Sequence, residues 1–256
     1  MCLVLTGIHV YLGIHVIARG IVFVDIALAQ IAALGATAAF LVGYDLDSWV
    51  SYAFGVGATL IGALVLTLTR SAERQLSQEA VIGVVYAVST AAAVLLVDRA
   101  PHGAEHLRAM LVGNILTVNG ADVAKVAGLY AAVGALHWLW RGPFFEITFD
   151  PERAGRERGR LRLWDFLFYA SFGVVVTSSV RVAGVLLVFS YLIVPALAGI
   201  ALARTVPLRL AMGWAFATAV SVAGIAASAT LDLPTGATVV CMFGVGLVIV
   251  GLARAR

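Results

Sequence analysis

The sequence predicts an all-α integral membrane protein, a polytopic helical bundle of about eight or nine transmembrane helices in a single domain, residues 1–256. The chain is 62% hydrophobic and only 12% charged, whereas about a quarter of the residues of a soluble domain are charged. Its apolar residues also form continuous runs of roughly 20, the length a helix needs to cross about 30 Å of hydrocarbon. A transmembrane barrel would instead show short alternating segments.

The predicted spans follow one another along the chain with short connections. The apolar segments cover residues 1–18, 21–43, 49–69, 79–97, 122–140, 164–180, 182–204, 208–230 and 236–252. The chain from 164 to 204 is interpreted as two spans broken near Arg181, and a single broken helix would reduce the total to eight or fewer. The segment 106–118 is too short to span and predicts a re-entrant or interfacial helix.

Arginines fall in alternate connections and set the predicted orientation. Arg19, Arg70, the run 141–162 and Arg204 lie in one set of connections, while several acidic residues lie in the other set. Because cytoplasmic loops are enriched in Lys and Arg, the arginine-rich connections are expected on the cytoplasmic side. The net charge of +3 therefore reflects membrane topology, and no nucleic-acid partner is expected.

The longest of these connections, the cytoplasmic loop 141–163, predicts a short helix. Asp150 stands before Pro151, a pair typical of an N-cap followed by proline at the first helical position. The charged stretch PERAGRERG then ends near Gly159. From charge alone, this helix fits equally well a solvated loop that attracts anionic lipids and a docking element for a cytoplasmic partner.

Asp25 and Gln30 are polar residues inside the apolar segment 21–43. A charge in hydrocarbon costs at least ~2.5–3.5 kcal/mol, and such residues usually face a bundle interior or water. One interpretation of Asp25 is an interfacial, partly hydrated carboxylate paired with an arginine. The other is that Asp25 and Gln30 line a cation path, although their spacing separates them by about 140° around a helix.

Three histidines lie within the predicted spans. His9 and His15 are candidate metal ligands, but their spacing separates them by roughly 240° on a helix, so they do not form a chelating pair. A single histidine in an apolar helix is more often hydrogen-bonded to a neighbouring backbone or hydroxyl group. His137, beside Trp138 and Trp140, is predicted to belong to an interfacial aromatic belt.

Pro195, in FSYLIVPALAG, lies in the middle of a predicted span. A proline there kinks the helix or frees a carbonyl group, which is tolerated where neighbours or water satisfy the backbone. Ser190 and Tyr191 precede it by one turn, so this part of the helix could line a pathway. A hinge at Pro195 is the corresponding hypothesis.

Five stretches, in agreeing order and spacing, carry a family resemblance over nearly the whole chain. They are VFVDIALAQIAALG, AMLVGNILTV, FDPERAGRERG, VRVAGVLLVFSYLIVPALAGIALAR and LDLPTGATVV. Together they resemble the membrane permease of metal-type ABC importers, the family that takes up zinc, manganese or iron with a binding protein and an ATPase. The resemblance also includes Pro195. At the position of Gln30, members of that family commonly have histidine, a better ligand for transition metals than an amide oxygen.

The resemblance implies a multi-pass permease of the bacterial inner (cytoplasmic) membrane that moves a divalent metal ion. Its expected partners are an ABC ATPase, a periplasmic or lipoprotein metal-binding protein and a second copy of the chain, since two-fold assembly is common. The residues expected to contact the ATPase form the coupling helix and are Asp150, Pro151, Glu152, Arg153, Gly155 and Arg156.

The sequence has no G-x-x-x-x-G-K-[ST] phosphate loop. The chain is therefore expected to be no enzyme, to have no catalytic residues and to bind no cofactor, with ATP used by the partner. The alternative is a stand-alone secondary metal carrier or channel, which calls for paired intramembrane charges and an inverted repeat. Neither is clear in the sequence.

Overall fold

The computed structural model describes residues 1–70, 77–98, 118–154 and 158–254, and the elements assigned in these ranges are all α-helices. In chain order they are α1 (Cys2–Ala18), α2 (Val24–Leu41), α3 (Trp49–Thr69), α4 (Gln78–Val97), α5 (Gly120–Leu139), α6 (Arg141–Phe149), α7 (Pro151–Ala154), α8 (Arg158–Ala183), α9 (Val185–Leu202), α10 (Val206–Leu231) and α11 (Thr235–Arg254).

Seven helices of the described ranges are long and apolar enough to cross a membrane. Helices α5 and α6, bent by 77° where they meet, make an eighth span if they count as one. The first predicted span forms the shorter apolar helix α1, of 17 residues. These helices confirm the predicted polytopic helical bundle. The predicted helix 106–118 lies, except for its last residue, outside the described residues.

The break expected near Arg181 occurs at Gly184. This glycine has φ 77° and ψ 159°, a backbone conformation that is essentially restricted to glycine because a side chain would clash. Helix α8 therefore ends at Ala183 and α9 begins at Val185. The two predicted spans are confirmed as separate helices.

The chain divides into two compact units. The first unit contains α1, the start of α5 as far as Tyr130, and the chain from Ser179 onward. The second unit contains the chain from Arg19 through α4, and the chain from Ala131 to Ser178. The single-domain organisation stays a prediction.

In the second unit, α2 is the inner helix. It packs against both α3 and α4, and small residues allow close approach. A Cβ atom added to Gly35 would lie 2.5 Å from the carbonyl oxygen of Phe54, so no larger residue fits there without a shift of the backbone. Most side chains of α2 are buried as a result.

In the first unit, α9 takes the inner position. It packs against α1, α10 and α11. Helix α10 approaches α9 at a glycine, since a Cβ atom added to Gly213 would lie 2.9 Å from the carbonyl oxygen of Pro195. The backbone around Pro195 is therefore in direct contact with a neighbouring helix.

Candidate functional site

Asp25 is buried in the second unit, with 1% of its surface exposed. It lies in the first turn of α2, where the helix dipole favours a negative charge. Neither carboxylate oxygen has a hydrogen-bond partner among the described residues, and Arg19 pairs with Asp165 instead. Asp25 is therefore more buried than the interfacial, partly hydrated carboxylate of the first interpretation, and it pairs with no arginine among the described residues.

Gln30 is buried on the same helix, with 8% of its surface exposed. The angle of about 140° between positions 25 and 30 does not prevent burial of both, because α2 packs against two helices. Carboxylate and amide oxygens suit hard divalent cations. In the part of the chain that the structure describes, no three His, Cys, Asp or Glu side chains come together as a metal site. Asp25 and Gln30 are therefore two buried polar side chains of one helix that offer oxygen atoms, and their place on a cation path stays a prediction.

His9 is buried in the first unit and uses both ring nitrogens for hydrogen bonds. Nδ1 lies 2.8 Å from the carbonyl oxygen of Leu5, which can only accept, so Nδ1 carries the proton. Nε2 then accepts from the Ser179 hydroxyl at 3.0 Å, and that hydroxyl also contacts the hydroxyl of Tyr130. His9 is therefore bonded to a backbone carbonyl and a hydroxyl group, which is the alternative to a metal ligand that the sequence predicts for a single histidine in an apolar helix. A metal ion could reach His9 only by displacing one of these partners.

His15 and His137 are also buried. The ring of His15 meets the edge of Tyr11, with centroids 4.7 Å apart. His137 stacks on Phe144, with centroids 4.0 Å apart, and its Nε2 lies 2.9 Å from Ser171 Oγ. The assignment of His137 to an aromatic belt is wrong, because one residue along a helix turns the side chain about 100° away from the exposed Trp138.

The predicted coupling helix begins as expected. Oδ1 of Asp150 accepts a hydrogen bond from the backbone N–H of Arg153 at 3.2 Å, and α7 starts at Pro151. Asp150 and Pro151 are exposed, and 73% of the Arg153 side chain is exposed. The N-cap is therefore confirmed, and its residues are accessible to a partner.

The remaining coupling residues are described only in part. Gly155 and Arg156 lie outside the described residues, and for Glu152 the structure describes the backbone alone. Arg153 makes the link to the preceding helix, since its Nε lies 3.8 Å from Glu146 Oε1. Their contact with an ATPase stays a prediction.

Residues 141–149, expected as part of a loop, form helix α6. Phe144 and Ile147 are buried on one side of it, and Phe144 packs against His137 and Trp164. The helix forms because its apolar residues recur at helical spacing. The coupling helix is thus attached to a helix that is itself packed into the second unit.

The structure also contains a charged cluster that the sequence analysis missed. One carboxylate oxygen of Asp165 contacts the guanidinium groups of both Arg19 and Arg70. The Arg19 guanidinium also lies 4.4 Å from the ring centre of Phe168, a favourable cation–π distance. Burial lowers the pKa of Arg19 from its ordinary value, whereas Tyr169 and Asp165 raise it.

The only sequence signal for this cluster was the position of its charges at the ends of apolar segments. Arg19 and Arg70 lie in two connections that the arginine pattern places on one side of the membrane, and Asp165 stands at the start of the segment 164–180, directly after a third. Their contact brings these connections to the same end of the second unit, in agreement with that pattern. Which side is cytoplasmic stays a prediction.

Pro195 is buried within α9, which continues from Val185 to Leu202 through the proline. One turn earlier, the Ser190 hydroxyl donates to the carbonyl of Leu186 at 2.9 Å. The hydroxyl groups of Tyr191 and Ser221 lie 2.6 Å apart. These side chains are therefore engaged in the first unit, and the hinge at Pro195 stays a prediction.

Comparison with known proteins places the chain in a family. The sequence matches the ABC 3 transport family over residues 1–254. The manganese transport system membrane protein MntC of Halalkalibacterium halodurans is 23% identical over 231 residues, which cover 90% of this chain and 76% of that protein. The manganese import system permease protein ScaB of Streptococcus parasanguinis is 22% identical over 230 residues, covering 89% and 79%.

A solved structure supports the fold. PsaBC from Streptococcus pneumoniae in complex with Fab superposes with a TM-score of 0.79 at 20% identity, over 97% of this chain and 87% of that one. The family match over residues 1–254 confirms the resemblance found in the five sequence stretches. The chain belongs to the ABC 3 transport family, and it is a multi-pass membrane permease subunit of an ABC transporter.

Proposed function

We propose that this permease moves a divalent metal ion inward across the bacterial cytoplasmic membrane, with Mn²⁺ as its preferred cargo. The observation that carries the proposal is Asp25, a buried carboxylate without a hydrogen-bond partner among the described residues. Buried ionisable residues of this kind mark ion paths in membrane proteins. With Gln30 on the same helix, the available donors are oxygens, which suit Mn²⁺ better than softer metals.

Two relatives support this choice of cargo, since both are named as manganese systems. A permease must also bind its ion weakly enough to release it. The buried pair Asp25 and Gln30 meets this requirement better than a closed site of three or four ligands. Zinc and iron are the competing cargoes.

The proposed assembly contains two copies of this chain, two ATPase subunits and an external metal-binding protein. The exposed residues of α7 offer the ATPase a short charged element, while α6 holds that element against the second unit. The chain itself has no phosphate loop, so hydrolysis by a separate ATPase drives the cycle.

The proposal is tested by uptake in a bacterial strain that lacks its own metal importers. The permease is expressed together with its ATPase and binding-protein partners, and the cellular content of manganese, zinc and iron is measured after exposure to equal concentrations. The control carries an ATPase whose phosphate-loop lysine is replaced. We expect manganese accumulation that requires the active ATPase.

Two outcomes would overturn the proposal. Uptake that persists with the inactive ATPase would identify a stand-alone carrier or channel. Absence of uptake of all three metals, with the assembled complex present in the membrane, would exclude them as cargo. Zinc or iron in preference to manganese would overturn the choice of cargo alone.

A further inference from the structure

Asp165, Arg19 and Arg70 form one largely buried cluster. The side chains of Arg19 and Asp165 are each 2% exposed, and that of Arg70 is 14% exposed. Asp165 is therefore the group through which the two guanidinium groups are joined.

Arg70 connects this cluster to the helix before the coupling helix. Its Nη2 donates to the carbonyl oxygen of Ile147 at 3.4 Å. Ile147 lies in α6, three residues before Asp150, which caps α7. The neighbouring Glu146 contacts Arg153 of α7. These contacts form a continuous link from α7 through α6 to Arg70.

Arg19 connects the same cluster to the helix that carries the proposed metal path. It lies five residues before Val24, where α2 begins. Its guanidinium is held by Asp165 and by the rings of Phe168 and Tyr169, all in α8. The backbone that leads into Asp25 is therefore anchored to Asp165.

Asp165 is shared between the two guanidinium groups. Arg70 is the more exposed arginine and is the one that contacts α6. A movement of α6 would therefore act on the contact of Arg70 with Asp165 before it acts on the more deeply buried pair of Arg19 and Asp165.

We propose that Asp165 is a positioning residue for transport, which passes the movement of α7 through Arg70 to Arg19 and the start of α2. This inference rests on the proposed function, because it takes the ATPase to act on α7. Asp165 contacts neither the metal nor ATP in this role. Its effect is on how much metal moves for each ATP hydrolysed.

The test is Arg70→Gln in the full complex, reconstituted with its ATPase and binding protein in lipid vesicles. The variant removes the link to Ile147 and leaves the neutral pair of Arg19 and Asp165, so the complex should assemble and retain its unfolding temperature. We expect ATP hydrolysis to continue while the manganese moved per ATP falls on the order of tenfold, within the range of known coupling energies. The matched control is Arg209→Gln, which also removes a donor to a backbone carbonyl, that of Ala203 at 3.2 Å, and should leave the ratio unchanged.

A second variant covers the case in which Arg70→Gln does not assemble. Arg70→Lys keeps the charge, but its single ammonium group lacks the fork that reaches both Asp165 and the Ile147 carbonyl. The manganese moved per ATP should lie between the value of the parent and that of a fully uncoupled complex. A ratio equal to that of the parent in the assembled variants, or a loss confined to thermal stability, would overturn the positioning role. Failure of the parent complex to transport would instead overturn the proposed function.

Discussion

The Nε2 atom of His9 accepts a hydrogen bond from the Ser179 hydroxyl at 3.0 Å, between residues 170 positions apart in the chain. Each group of this network donates a hydrogen bond to the next: the Tyr130 hydroxyl to Ser179, the Ser179 hydroxyl to His9, and His9 to the Leu5 carbonyl. Because the network is buried, each partner satisfies a group that would otherwise be costly. Ser179 is the central link, since its hydroxyl both accepts and donates.

Ser179→Ala should therefore destabilise the first unit. It leaves His9 Nε2 and the Tyr130 hydroxyl without this partner, at a cost of about 1–3 kcal/mol. Thermal unfolding in detergent measures the effect. Ser190→Ala is the control, because its hydroxyl donates to the Leu186 carbonyl of its own helix, and it should change stability less. Equal stability of the two variants would contradict the network.

Asp25→Asn should separate stability from transport. The change keeps the shape of the side chain but removes a buried charge, so the unfolding temperature should stay equal or rise. Metal uptake, measured at equal membrane protein level, should fall. For stability the contrasting variant is Asp165→Asn, which removes the carboxylate that contacts two arginines and should destabilise the protein by about 3–5 kcal/mol. Unchanged uptake by Asp25→Asn would identify Asp25 as a packing residue.

Gln30→His should change metal preference and leave transport working. Imidazole binds zinc better than an amide oxygen does. Uptake of zinc relative to manganese should therefore rise in the variant. The measurement is the metal content of cells that express either form at equal level. An unchanged ratio of the two metals would show that Gln30 does not contact the ion.

The coupling helix should be sensitive to changes in its exposed and charged residues. Glu152→Ala combined with Arg156→Ala, or Gly155→Trp, should weaken co-purification of the ATPase or uncouple hydrolysis from uptake. Asp150→Ala should increase this loss of coupling, because it removes the N-cap of α7, which contributes about 1 kcal/mol to helix stability. Lys125→Ala, at an exposed residue outside α6 and α7, is the control and should leave co-purification unchanged. An intact complex with normal uptake in all variants would exclude these residues from the contact.

Pro195→Ala should stiffen α9. Proline lacks the N–H that would bond to the carbonyl four residues earlier, that of Tyr191, and alanine restores this donor. We expect equal or greater thermal stability together with slower uptake. Pro207→Ala is the control, since Pro207 lies in the first turn of α10, where a missing N–H breaks no helical bond. Equal uptake rates for the parent and Pro195→Ala would contradict the hinge.

Local features of the sequence were sufficient for the class of protein and for several boundaries. Long apolar runs predicted the membrane helices, because partition into hydrocarbon depends on composition and length. Asp150 and Pro151 predicted the start of α7 through a cap whose partners lie within three residues. The five motifs indicated the family, which the match over residues 1–254 confirmed.

Only the tertiary structure decided which polar side chains meet. Asp165 contacts Arg19 and Arg70 across 146 and 95 positions of the chain, and Asp25 is left without either arginine. The sequence could not show which charged residues would pair, because a membrane helix has apolar surroundings whether it faces lipid or another helix. A helix that is apolar all round gives no periodic signal of which face meets its neighbours. The rotation of α2 between α3 and α4, fixed by packing at residues such as Gly35, determined which polar groups became buried and which became partners.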